Sequence, residues 1–92
     1  MKRVRAHVFI SGDVTGVGYR AWTVREATRL ELKGWVRNAD RNLVELVCEG
    51  AEDIVNKYID ICKNGPETSL VADIEVKWEK TGDDLAGFEI RY

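Results

Sequence analysis

The stretch Val4–Ser11, VRAHVFIS, runs directly into Gly12–Arg20, GDVTGVGYR, and the reading of this junction decides the fold. Val4, Ala6, Val8 and Ile10 alternate with Arg5, His7, Phe9 and Ser11. That period of two is the signature of a strand with one strongly apolar face. Gly12, Gly16 and Gly18 then crowd a short segment, which suits a loop whose backbone visits dihedrals closed to other residues. A strand therefore feeds a glycine-rich loop.

Working outward, Tyr19–Glu31 favours helix. Thr23, Val24, Ala27 and Leu30 share one face while Arg25, Thr28 and Arg29 point away, and Lys33-Gly34 supplies the closing signal. Trp22 falls off this stripe, so it is expected either partly buried against another element or at the mouth of a site. Gly34–Asn38 and Leu43–Glu49 read as strands joined by the polar turn Ala39–Asn42. Ala51, Glu52 and Asp53 open a second helix with an apolar stripe of Ile54, Val55, Tyr58, Ile61 and Cys62, and Asn64-Gly65-Pro66 stops it. Ala72, Ile74, Val76 and Trp78 alternate with acids and Lys77 in a fourth strand. A turn at Thr81–Asp84 then leads to a short terminal strand carrying Phe88, Ile90 and Tyr92. The order β-α-β-β-α-β-β predicts an α+β, ferredoxin-like split βαβ sandwich. Both helices lie on one face of an antiparallel sheet, with a short extra C-terminal strand.

A length of 92 residues fits one domain, here residues 1–92, burying roughly 65% of its unfolded surface. With 45% hydrophobic residues, 33% charged residues and one proline, the composition is that of a folded chain and excludes disorder. The formal net charge of −2 excludes a global basic field for nucleic acid or an anionic membrane, so an anion site has to be local. The basic opening MKRVRAHVFISGDV is too short and too polar for a leader or a membrane span, and a cytoplasmic monomer without membrane contacts is expected. Cys48 and Cys62 make neither a metal pattern nor a redox pair and are read as buried, reduced thiols.

Successive main-chain N–H groups of the 14–19 loop can converge on an anion, and a helix N-terminus adds roughly half a positive charge. Arg20, in the first helical turn, can grip two oxygens of the same anion. Taken alone, the loop is equally readable as a flexible turn. Parity adds Asn38. If Val36 points toward the helices, Asn38 does too, and it either shares a pocket with Arg20 or merely starts the hairpin turn.

Gly12–Arg20, together with Gly34-Trp35-Val36-Arg37-Asn38, Val44 and Gly50, closely resembles the two signature motifs of the acylphosphatase family. The resemblance extends over nearly the whole chain, including the Asn64-Gly65-Pro66 stop and Gly87–Ile90. It implies a ferredoxin-like fold and hydrolysis of the carboxyl-phosphate bond of small acyl phosphates, releasing inorganic phosphate. It further implies that Arg20 binds the phosphate, that Asn38 positions the attacking water, and that Val14, Thr15, Gly16, Val17, Gly18 and Tyr19 form the backbone cradle. Thr15 replaces the family's usual glutamine and Asn42 its usual glycine. Activity is expected to survive both, because the loop donors are main-chain groups and asparagine tolerates the left-handed conformation. Asp13 is expected to turn to solvent, away from any bound anion.

An acyl phosphate departs as a carboxylate, a weak base with a pKa near 4, so little general acid is needed. No cofactor and no metal are expected, and the water's proton goes to a phosphoryl oxygen of the substrate. His7 is expected on the outer sheet face; Ser11, its only same-strand nucleophile, lies roughly 13 Å away, which argues against covalent catalysis. Two other readings remain. One is a regulatory domain that binds phosphate without turnover. The other is a single-stranded RNA module using Phe9 and Trp35, which the acidic balance and the lack of an RNP1 pattern oppose.

Overall fold

In a computed structural model that describes residues 2–16 and 18–92, the period-2 alternation of the first strand becomes an interior strand of a five-stranded sheet, paired on both sides. β1 (Arg3–Asp13) is followed by α1 (Tyr19–Arg29), β2 (Lys33–Asp40), β3 (Leu43–Ala51), α2 (Glu52–Asn64), β4 (Leu70–Glu79) and β5 (Phe88–Ile90). The spatial order is β4-β1-β3-β2-β5. β1 pairs antiparallel with β3 and β4, and β2 antiparallel with β3, as the ferredoxin-like arrangement requires.

The terminal strand makes the sheet mixed rather than wholly antiparallel, since β5 runs parallel to β2 with Val36 opposite Ile90. The reason is topological. The chain leaves β4 at one edge and returns in the reverse direction at the other edge, and reversing β4 gives the direction shared by β1 and β2.

Helix α1 ends sooner than Lys33-Gly34 suggests. It stops at Arg29, Glu31 takes the left-handed conformation (φ 59°), and Lys33 and Gly34 already belong to β2. Gly34 serves close packing. A Cβ there would lie 1.8 Å from the Val47 carbonyl oxygen and 2.9 Å from the Phe88 ring. The second helix begins and ends as its signals indicate, with Glu52 and Asp53 in its first turn and Gly65 (φ 69°) closing it.

Ala6, Val8 and Ile10 of β1 are fully buried and meet Val36, Val44, Leu46 and Cys48 of the neighbouring strands and Ala27, Val55, Tyr58 and Cys62 of the helices. Each large aliphatic side chain so buried stabilises the fold by about 1.5–3 kcal/mol. Both cysteines are unpaired and buried. Burial pushes the Cys48 thiol up to about 12 and raises that of Cys62 as well, so neither supplies a thiolate at neutral pH. Among the described residues no helix is long and apolar enough to cross a membrane.

The opposite sheet face is covered by charges. Glu49 is buried, and its carboxylate accepts hydrogen bonds from Arg5 Nε at 2.7 Å, Arg3 Nη2 at 2.9 Å and the Gly82 N–H at 3.2 Å. Arg5 also reaches Asp84 at 2.6 Å. His7 sits on this face, as its strand parity requires, with Nε2 at 2.6 Å from Glu45 and Nδ1 at 2.7 Å from Glu79. Its ring stacks on Phe9 at 4.7 Å. Burial disfavours ionisation of Glu49, but the hydrogen bonds from Arg5, Gly82 and Arg3 outweigh it and hold the carboxyl below its ordinary value of 4.5.

Two outcomes follow from this cluster. Arg5→Met leaves a buried carboxylate short of its main partner and is expected to cost on the order of 3 kcal/mol in urea unfolding at neutral pH. Because Glu49 titrates lower in the folded chain than in the unfolded one, its contribution is complete above 4.5 and is lost as the pH falls below that value. Glu49→Gln is expected to flatten that acid limb. An Arg5→Met protein with the parent midpoint, or an unchanged acid limb in Glu49→Gln, would contradict this account.

Candidate active site

The site begins where β1 leaves the sheet. The β1–β4 register shifts between Ser11 and Gly12, and Gly12 (φ 136°) passes so near β4 that a Cβ would lie 2.3 Å from the Leu70 carbonyl oxygen. The Gly12 N–H donates to the Asn42 carbonyl at 3.0 Å, tying the root of the loop to the β2–β3 turn. Asn42 stands in the left-handed region (φ 58°), the conformation the sequence assigned to it. Asp13 is exposed and Val14 is buried, so the chain dips back into the core before turning. Gly16 (φ 81°) and Gly18 (φ 79°) are both left-handed, yet a Cβ at either would meet nothing within 4 Å. Glycine is needed there for dihedral reasons, not for space, since any other residue is strained by about 1–2 kcal/mol.

The two helices begin in opposite ways. α2 opens with Glu52 and Asp53 and ends with Lys63, complementing its own dipole. α1 starts at Gly18 without a side-chain cap and without an acid in its first turn, and carries the cation Arg20 there instead. Its leading N–H groups lack intrahelical partners, and a cation at the positive end of a helix is unfavourable unless an anion joins it.

The first turn is pinned from below. The Tyr19 hydroxyl, buried and thereby pushed well above the ordinary tyrosine value, donates to the Cys62 carbonyl at 2.8 Å. The Thr23 hydroxyl donates to the Arg20 carbonyl at 2.6 Å, and the Tyr58 hydroxyl donates to the Thr23 carbonyl at 2.9 Å. Trp22 is partly buried, with its ring 5.5 Å from that of Tyr19, and does not line the site.

A cavity of about 340 Å³ opens over this turn, lined by Val14, Gly16, Gly18, Tyr19 and Arg20. Thr15 is half-buried off the cavity wall, and Val17 lies outside the described residues. Asn38 is exposed, shares the strand parity of buried Val36, and stands two residues beyond the Val36–Ile90 pair; it borders the site's side of the sheet and is not part of the cavity wall. Ala21, Ile90 and Tyr92 complete the lining. The sequence hinted at the last two only through the alternation of Phe88, Ile90 and Tyr92, because nothing local announces that a terminal strand will pair beside β2. Arg20 makes no ion pair with a carboxylate among the described residues; its guanidinium carbon lies 5.5 Å from the centre of the Tyr92 ring. Among the described residues no group of three or more His, Cys, Asp or Glu side chains is placed to hold a metal ion. Main-chain donors at an uncapped helix start, beside a guanidinium that pairs with no carboxylate among the described residues, suit a compact oxyanion.

The chain is similar to known proteins over nearly its whole length. A family model described as acylphosphatase matches residues 6–90. The chain is 46% identical over 88 residues to an acylphosphatase of Trichormus variabilis, covering 96% of this chain and 86% of that protein. It is 44% identical to an acylphosphatase of Haloarcula marismortui over the full length of both. The crystal structure of acylphosphatase from Bacillus subtilis superposes with a TM-score of 0.91 at 34% identity, covering 97% of this chain and 99% of that one.

The left-handed turn provides a direct test. Asn42→Gly is expected to leave thermal stability nearly unchanged, whereas Asn42→Val, which tolerates the conformation poorly, is expected to cost about 1–2 kcal/mol. Equal melting temperatures for the two variants would show that residue 42 does not depend on its positive φ.

Proposed function

The chain belongs to the acylphosphatase family, and on that basis we propose that it hydrolyses acyl phosphates to a carboxylate and inorganic phosphate without a metal ion. The observation that carries the reading is the pairing of an uncapped helix N-terminus with an arginine that has no carboxylate partner among the described residues, at one cavity of about 340 Å³. The N–H groups of the 14–19 loop and the fork of Arg20 take the non-bridging phosphoryl oxygens, neutralising the charge that a metal ion would otherwise offset. Asn38 holds a water in line with the scissile bond. The water oxygen bonds to phosphorus as the bond from phosphorus to the acyl oxygen breaks, and that oxygen leaves with the electron pair as a carboxylate. A carboxylate with a pKa near 4 needs no protonation to depart. Among the described residues no Asp, Glu, His or Lys side chain lines the cavity, and the water's proton passes to a phosphoryl oxygen of the substrate. What remains for the protein is positioning and electrostatics.

Release of phosphate from acetyl phosphate in the presence of a chelator tests the reaction. Arg20→Ala is expected to lose about 10²–10³ in kcat/KM and to weaken inhibition by inorganic phosphate. Asn38→Ala is expected to lose a comparable factor in kcat while keeping its affinity for phosphate. A folded Arg20→Ala protein with full hydrolysis would remove Arg20 from the mechanism, and phosphate binding without turnover in the parent would favour a regulatory domain.

A further inference from the structure

We propose that Arg37 and Glu45, paired on the outer face of the sheet, are positioning residues for Asn38: they hold the end of β2 so that the carboxamide keeps its water in line. The inference rests on the reading of Asn38 given above and extends it to two residues that do not line the cavity.

The first support is where Asn38 stands in the sheet. Among the described residues, β5 pairs with β2 only at Gly34, Trp35 and Val36, and the Arg91 N–H then donates to the Val36 carbonyl at 2.8 Å. Beyond Val36, β2 keeps a partner on the β3 side alone. On that side the register shifts between Asn38 and Asp40. Asn38, opposite Val44, is therefore the last regular rung before an irregularity, with one flank of its strand unpaired. Backbone held by so few partners opens most easily. A carboxamide that has to aim a water at phosphorus tolerates little of that motion.

The second support is the lock one residue earlier. Arg37 lies directly opposite Glu45 in the β2–β3 register, and its Nε donates to Glu45 Oε1 at 2.7 Å. The other oxygen of Glu45 lies 2.6 Å from His7 Nε2, so the carboxylate cannot swing to follow a drifting strand. His7 in turn lies 2.7 Å from Glu79 through Nδ1 and stacks on Phe9. One row of side chains thus fastens β2 through β3 and β1 to β4. Burial disfavours ionisation of Glu45, but hydrogen bonding to His7 and Arg37 outweighs it and holds the carboxyl below its ordinary value of 4.5. The grip on Arg37 is therefore charge-assisted at neutral pH. Alternation puts Arg37 and Asn38 on opposite faces, which lets the pair restrain the backbone at Asn38 without intruding on the site. A half-exposed cross-strand pair adds little to global stability, so its removal leaves the chain folded.

The test compares Arg37→Met, Arg37→Lys and Glu45→Leu, with Arg37→Met repeated in an Asn38→Ala background. It measures kcat and KM with acetyl phosphate and the dissociation constant of inorganic phosphate, well below each variant's melting temperature. Arg37→Met and Glu45→Leu are each expected to lower kcat by about three- to ten-fold while KM and phosphate affinity stay near the parent values. The two substitutions remove charges of opposite sign, so a fall in kcat common to both is not a field effect on the substrate. The Arg37 contact is made through one nitrogen, so Arg37→Lys, which keeps a cationic donor, is expected to recover most of the loss. In the Asn38→Ala background, Arg37→Met is expected to add nothing, because the residue it acts through is gone. The proposal is overturned if Arg37→Met keeps the parent kcat, if the two variants move kcat in opposite directions, if Arg37→Lys is as slow as Arg37→Met, or if the Arg37→Met effect persists without Asn38. An Asn38→Ala protein with the parent kcat would sink the underlying reading of Asn38 and the proposal with it, an outcome distinct from these four.

Discussion

One backbone hydrogen bond, from the Gly12 N–H to the Asn42 carbonyl, joins the two parts of the chain on which the site depends. It extends the β1–β3 ladder one step past the Ser11–Leu43 pair and brings the β2–β3 turn against the root of the glycine-rich loop. Two unusual backbone conformations make it possible: the left-handed Asn42 and Gly12, which leaves no room for a Cβ beside the Leu70 carbonyl. From that point the chain can dip to bury Val14, turn through Gly16 and Gly18, and enter α1 with Tyr19, Arg20 and Ala21 lining the cavity. The geometry of the site is therefore set by the sheet, and the loop inherits it.

Charge is divided between two regimes. On the outer face of the sheet, Glu49 and Glu45 are saturated by arginine, histidine and main-chain donors, which is the condition under which buried carboxylates are tolerated. At the head of α1 the reverse holds. The helix lacks a cap, its first turn lacks an acid, and Arg20 lacks a carboxylate partner among the described residues. Unsatisfied donors on a buried core would destabilise the fold, but at an open cavity water can serve them. The Cys62 and Thr23 carbonyls, reached by the hydroxyls of Tyr19 and Tyr58, tie that turn to α2.

Much of this was legible in the sequence, for reasons that differ from element to element. Strict alternation identified β1, because a strand with one buried face admits little else, and Gly65 with Pro66 closed α2 because neither residue continues a helix. The end of α1 was misread because Lys33-Gly34 carries a common stop signal. There the glycine answers to β3 and Phe88, residues remote in sequence, and the actual stop at Glu31 uses a residue with no special taste for the left-handed region. The parallel pairing of β5 was hidden for the same reason, since short strands announce their existence and not their neighbours.

The residues themselves determined that this chain folds as two helices over a sheet, that a glycine-rich junction precedes Arg20, and that Asn38 shares the parity of Val36; each of these follows from local spacing and backbone preference. Only the tertiary structure decided that Arg20 is free of carboxylates among the described residues, and that Ile90 of β5 and Tyr92 beyond it line the cavity. Those facts depend on which distant surfaces meet, and that is settled by burial of the whole core, about which no single segment carries information.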